Sequence, residues 1–286
     1  MKNIEFNFNE DMRLIRELMG LSQAEFAEML HVEAVTVSRW ENGSAGFSND
    51  SLERLYMSAY MHGININKIK EQFFAEESDP IEKLLFHGAK TMIDGNLDID
   101  HAKERNDFGK GFYCGESFVQ ASLFVSGFPQ SSVYIFEFDP EGLEHKRYEV
   151  DREWLLTIAA FRERLGRYSG NKLIGRLREE ANSADYIIAP IADNRMFQII
   201  DEFIKGSITD EQCIHALAAT DLGMQYVMKS EKALKRLVVL ERCYLCGEEK
   251  RAYSNSRAED IMNSDNKVNA ARIKYRGKGK YIDELL

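Results

Sequence analysis

Three short stretches carry the residue types that do chemistry. Leu84-Leu85-Phe86-His87-Gly88 reads as an apolar strand ending in a histidine and a glycine. Asp107 to Phe124, DFGKGFYCGESFVQASLF, brackets the pair Phe112-Tyr113 with Gly109, Gly111 and Gly115, then enters a helix-like run from Glu116 to Val125. Gln225 to Leu234, QYVMKSEKAL, reads as a short strand entering a helix. Glycine serves where backbone must turn sharply or lie against a ligand, because it has no Cβ to clash. The Gln225 amide donates and accepts hydrogen bonds but cannot act as a base. Each feature alone also fits a purely structural role; their joint order gives them weight.

The elements around these stretches are those of two kinds of domain. At 286 residues the chain is long enough for one large or two ordinary domains, and 44% hydrophobic with 29% charged residues describes a soluble globular protein. Without a signal-peptide-like start or an apolar run of membrane-spanning length, the expectation is a cytoplasmic protein with no membrane partner. The polar run Glu76-Glu77-Ser78-Asp79-Pro80 marks the best boundary. It divides a helical domain (1–78) from a mixed domain (79–246), with a basic tail (247–286) beyond. In the mixed domain, strands at Glu82–Phe86, Val133–Phe138, Asp185–Pro190, Met224–Met228 and Leu237–Tyr244 interleave with amphipathic helices. Their spacing is not that of regular βαβ units, which fits an α+β class.

The helical domain has a legible order. Met12, Ile15, Leu18 and Met19 recur at helical spacing, and Gly20-Leu21 ends that helix. Ser22-Gln23-Ala24-Glu25 is a capping box that starts a second helix. A third runs from Glu33 to Glu41, with Val37 and Trp40 inward, and Asn42-Gly43 stops it. The stretch GLSQAEFAEMLHVEAVTVSRWENG resembles the lambda-repressor/Cro-like (XRE-type) helix-turn-helix of bacterial transcription regulators. That resemblance implies that Ala34, Val35, Thr36 and Arg39 face the DNA major groove and that Gln23 touches a phosphate. Residues 1–79 hold 7 Lys/Arg against 14 Asp/Glu, a net of −7. Phosphate neutralisation dominates DNA affinity, so protein binding, to an antitoxin or a second copy, stays open beside DNA.

The three chemical stretches, in their order, resemble the ADP-ribosyltransferase fold of the histidine–tyrosine class, which includes diphtheria-type toxins and the poly(ADP-ribose) polymerases. The nearest likeness is to a bacterial transferase-like family catalogued as a domain of unknown function, over about Ile81 to Cys246. The resemblance implies an α+β domain with a split antiparallel sheet, and NAD as substrate. His87 would bond the ribose 2′-hydroxyl and the Gly88 backbone the carboxamide. Tyr113 would stack on the nicotinamide, with Phe124 closing the other face. Ala121, beside Ser122, stands where the class commonly places a serine that contacts the carboxamide. Gln225 stands where the class has glutamate, which makes chain elongation unexpected and leaves the acceptor to bring its own nucleophilicity. The implied roles are a toxin or phage-defence transferase modifying protein or nucleic acid, or an NAD glycohydrolase. A non-catalytic NAD- or ADP-ribose-sensing regulator is the alternative, and a plain transcription factor is a third possibility. Lys110 and Arg105 are candidates for NAD phosphates or for a solvated loop.

Two features stay outside that scheme. Cys243-x-x-Cys246 is half of a zinc motif without its other half, so no metal site is expected. Residues 250–280 hold 9 Lys/Arg against 3 Asp/Glu, a net of +6, with Tyr275 and Tyr281 interleaved. This segment is either a nucleic-acid contact, a solvated tail, or a strap on the acidic N-terminal domain.

Overall fold

The computed structural model describes residues 5–100, 102–192, 196–220 and 223–286, apart from the side chains of 258–263. The expected helix start at Asn194 lies outside these residues. Five helices come first: α1 (Phe8–Leu18), α2 (Gln23–Met29), α3 (Ala34–Glu41), α4 (Asn49–Met61) and α5 (Ile66–Glu77). Next come β1 (Lys83–Ala89), β2 (Phe112–Gly115), α6 (Phe118–Val125), β3 (Ser132–Phe138), β4 (His145–Arg147), α7 (Arg152–Phe161) and α8 (Lys172–Ser183). They are followed by β5 (Tyr186–Pro190), α9 (Met196–Ile204), α10 (Asp210–Ala218), β6 (Met224–Met228), α11 (Glu231–Leu234) and β7 (Leu237–Tyr244). The chain ends in α12 (Gly247–Lys274) and α13 (Ile282–Leu285). Among the described residues no helix is long and apolar enough to cross a membrane.

Two compact units are interleaved in sequence. One holds 1–96, 118–138 and 238–256; the other holds 97–117, 139–237 and 257–286. In the first, α1–α5 enclose a core of Phe8, Met12, Ile15, Phe26, Val37 and Leu55. The capping box at Ser22 forms as expected: Glu25 returns to the Ser22 backbone amide at 2.8 Å while Ser22 accepts from the Glu25 amide. β1 pairs antiparallel with β3, which neighbours β7, and α6 packs on these strands through Phe118, Ala121 and Val125. The two thiols of the Cys-x-x-Cys pair serve different cores, since Cys243 packs with Phe86 and Val133 while Cys246 joins the helical core.

The second unit orders four strands β4-β5-β6-β2. β5–β6 and β6–β2 are antiparallel, but β4–β5 is parallel, so these strands are mixed rather than purely antiparallel as the sequence suggested. The connection from β4 to β5 contains α7 and α8, long enough to return the chain in the same direction. Trp154, Leu155, Ile158, Phe197, Ile200 and Phe203 form the core under these helices. The C-terminal segment is not a loose tail: α12 is a single long helix, and Ile282 beyond it is buried in this unit's core.

One carboxylate makes the first unit's stability pH-dependent. Glu249, in the first turn of α12, accepts from Asn67 at 3.0 and 3.2 Å, and burial pushes its pKa up to about 7. A carboxyl whose folded pKa is raised favours the folded state most below its unfolded pKa, and that advantage is lost as pH rises through about 7. Glu249→Gln keeps an acceptor for Asn67 without the charge. It should leave the melting temperature nearly unchanged at pH 5 and raise it at pH 8, by an amount corresponding to roughly 1–3 kcal/mol. Equal melting shifts at both pH values would contradict this.

Candidate functional site

In the second unit the expected residues Tyr113 and Gln225 lie on neighbouring antiparallel strands. Register pairs Tyr113 with Val227 and Gly115 with Gln225, so strand alternation puts Tyr113, Gln225, Val227 and Ile187 on one face. Gly111 permits the close approach of β2 to β6: a Cβ there would stand 2.7 Å from Val227 Cγ1 and 2.9 Å from the Met228 carbonyl. The Tyr113 hydroxyl donates to the Gly109 carbonyl at 2.7 Å and accepts from the Phe108 amide at 3.2 Å, which ties the glycine loop to β2. Burial, with the nearby Asp107 charge, holds its pKa far above the ordinary phenol value. Lys229 closes the same loop by donating to the carbonyls of Phe108 (2.6 Å) and Lys110 (2.7 Å); burial pulls its pKa down to about 8.

Gln225 is only 5% exposed, and its amide is committed. Nε2 donates to Asp107 Oδ2 at 2.9 Å and to the Pro190 carbonyl at 3.1 Å. Asp107, equally buried, also accepts from Arg162 Nε (3.0 Å) and Nη2 (2.7 Å) and from the Ala192 amide (3.2 Å). A carboxylate with four donors around it is a structural hub rather than a free base. Position 225 therefore suits an amide: a glutamate would aim its oxygens at a carboxylate and a carbonyl, both acceptors. Sequence reading missed Arg162 and the hub role of Asp107. Its available signal was an aspartate leading the glycine loop and an arginine closing the apolar helix α7. Arg105 and Lys110, expected near phosphates or in a loop, pair with Glu163 (2.6 Å) and Asp100 (2.9 Å).

The first unit holds the other five expected residues. His87 is half-buried on β1, opposite Tyr134 of β3. Alternation turns it away from the face where Phe86 and Gly88 meet α6. Gly88 is dictated by that contact, since a Cβ would lie 2.5 Å from the Ala121 carbonyl and 2.8 Å from Val125 Cγ1. Gly88 and Ala121 are thus neighbours across the β1–α6 contact. Ser122 is fully buried, whereas Phe124 is 63% exposed, with Lys90 Nζ 6.0 Å from its ring centroid.

The helix-turn-helix residues divide similarly. On α3, Ala34, Val35 and Arg39 are exposed and Thr36 is half-buried, while Val37 and Trp40 anchor the helix inward. Gln23, expected at a phosphate, gives its amide to Glu41 at 2.8 Å. Glu41 also accepts from Arg16 Nε at 2.6 Å. Burial pulls the Glu41 carboxyl up, but the bonds from Arg16 and Gln23 hold it below the ordinary carboxylate value. This trio, with Glu41 buried and Arg16 and Gln23 half-buried, fixes α1, α2 and α3 relative to one another.

Gln225→Glu tests the hub. A second carboxylate beside Asp107 should cost stability, roughly 1–3 kcal/mol at pH 8 and less at pH 5 where it is readily protonated. Urea denaturation at the two pH values reads this, and an unchanged midpoint at pH 8 would contradict the bonding described.

Residues 12–55 match the helix-turn-helix family, so the N-terminal region is a DNA-binding domain of that type. No curated protein and no solved structure matches the chain. Residues 83–239, more than half of the chain, match the family described as protein of unknown function DUF3990. The chain belongs to that family.

Proposed function

We propose that this protein is an NAD-dependent ADP-ribosyltransferase directed or regulated by its helix-turn-helix domain. The observation that supports this reading best is the ordered set of motif residues at strand and helix ends. His87-Gly88 closes β1, with α6 seated on the glycine; Tyr113 follows a glycine loop that enters β2; Gln225 opens the partner strand β6. In the proposed roles Gly88 holds the carboxamide, Tyr113 and Phe124 flank the nicotinamide ring, and His87 bonds the ribose. Nicotinamide leaves with the electron pair of its bond to ribose C1′, and the acceptor forms the new bond at that carbon and loses a proton. Such catalysis rests on groups positioned for the developing positive charge of the sugar.

With an amide at position 225, no carboxylate there activates the acceptor. This favours acceptors that are nucleophilic on their own, with water as the limiting case of an NAD glycohydrolase. The bonding of Gln225 to Asp107 also supports a second reading, a sensor that binds NAD or ADP-ribose without turnover and tunes DNA binding. A toxin or phage-defence role, with a cognate antitoxin, belongs to the transferase reading.

The test is incubation of the full-length protein with NAD radiolabelled in the adenylate moiety and whole-cell lysate, with free nicotinamide followed in parallel. Label should appear on protein or nucleic acid and fall on the order of 10²–10³-fold in His87→Ala and Tyr113→Ala. Nicotinamide release without label transfer identifies hydrolysis. Neither signal, or label that survives both substitutions, would overturn the transferase reading.

A further inference from the structure

The basic segment after α12 is a built surface. Its backbone is pinned to the second unit at several points. The Gln212 side chain donates to the Arg272 carbonyl at 2.7 Å, and the Thr209 hydroxyl donates to the Lys278 carbonyl. Lys280 donates its amide to Asp210 Oδ1 at 2.7 Å and accepts from the Asp210 amide at 2.9 Å. Ile282 is buried beyond it, and Asn171 bonds the Leu286 carbonyl at 2.8 Å. The order of the segment therefore rests on backbone atoms, on Ile282 and on the side chains of Arg272, Tyr275 and Asp283. The long side chains of Lys274, Arg276, Lys278 and Lys280 take no part in it, and all four residues are exposed.

The neighbouring carboxylates are engaged elsewhere. Asp210 binds Arg152, Glu202 binds Arg272, Asp283 binds Arg167 at 2.6 Å, and Glu284 accepts from the Tyr281 amide at 2.7 Å. Glu211, at the start of α10, is the exposed carboxylate facing this turn. Among the described residues none of the four cations forms an ion pair. The dipole at the C-terminus of α12 accounts for a cation at 272 or 274, but not for the three beyond the helix end. Concentrated positive charge on an ordered backbone costs self-repulsion that folding does not require.

An aromatic platform sits within this charge. The half-buried Tyr275 ring stacks on His215 of α10, with centroids 3.6 Å apart and planes 14° apart. The ammonium groups of Lys278 and Lys274 lie 4.9 and 5.3 Å from the Tyr275 centroid, and Tyr281 is 45% exposed. Cations around a fixed ring match a strand of nucleic acid, whose phosphates take the charge and whose bases stack on the ring without regard to sequence. An acidic protein would use the cations but give the ring no role.

We propose that Lys274, Arg276, Lys278 and Lys280, arranged about the Tyr275–His215 stack, form a nucleic-acid-binding surface separate from the helix-turn-helix. It is sequence-independent and directed at phosphates and at unstacked bases.

The test uses the full-length protein and a labelled mixed-sequence single-stranded oligonucleotide, with affinity measured by fluorescence anisotropy from about 50 to 200 mM salt. The variant K274A/R276A/K278A/K280A keeps every backbone bond named above. It should reduce the slope of log affinity against log salt by about 3, since each phosphate left without its cation takes roughly 0.7 from that slope. Tyr275→Ala should weaken binding about 5- to 100-fold, the loss of one stacked base, while leaving the salt slope unchanged. An unchanged slope in the quadruple variant, no binding by the parent protein, or equal binding of labelled polyglutamate would each overturn the proposal. Circular dichroism on both variants shows that the fold survives the changes.

Discussion

The buried ammonium of Lys70 holds the helix-turn-helix region to the strand that closes the family domain. Its Nζ lies 2.6 Å from Asp11 of α1 and 3.2 Å from Glu241 of β7. Asp11 also accepts from the Tyr56 hydroxyl of α4, and Glu241 accepts from Asn7 at 2.8 Å. Burial alone would pull the lysine pKa down, but the Asp11 and Glu241 carboxylates hold it above its ordinary value. Two buried acids beside one base tolerate no missing member, because removing a partner strands a charge away from water. A second layer repeats the arrangement: Asn67 bonds the Tyr244 carbonyl at 2.8 Å, and Glu53 takes the Tyr244 hydroxyl at 2.7 Å and the Gly247 amide at 2.8 Å. The DNA-binding region is therefore bonded to β7 and the start of α12 and is not a bead on a linker. Any shift of β7 reaches α1, α4 and α5 through these bonds, which gives the regulatory half of the proposed function a physical route.

The second unit depends on a comparable hub of opposite sign. Asp107 gathers Arg162, Ala192 and Gln225, and so fixes the glycine loop, the end of α7 and the start of β6 around one carboxylate. The glutamine is thus a consistent choice. The same amide that fails as a base is what allows position 225 to sit against Asp107 and Pro190. The chemistry proposed for this family domain must proceed with that amide in place, and this narrows the acceptor to groups that need no activation from residue 225.

Local physics made much of this legible in the sequence. Met224–Met228 and Leu237–Tyr244 are strands with the bounds expected, because each is a short apolar run between turn residues. Ser22 and Thr209 start helices, as their side-chain oxygens predict. What stayed hidden was long-range or weakly patterned. β4 has three residues, too few for alternation to register, and it forms only because β5 offers an edge. The stretch after Gly247 lacks an apolar stripe, so nothing in its periodicity announced α12. Asp107 and Arg162 are far apart in the chain, and no spacing rule connects them. In the sequence, the glycines at 88 and 111 suit close approach to a ligand. Their immediate cause is the close approach of α6 to β1 and of β6 to β2.

The claim on which both functional readings rest is that this chain binds NAD. Titration calorimetry of NAD into the full-length protein tests it without depending on turnover, acceptor or DNA. The account predicts a saturable, one-to-one heat that nicotinamide diminishes by competition and that Tyr113→Ala abolishes. No heat above dilution at millimolar NAD would contradict it, as would binding indifferent to Tyr113.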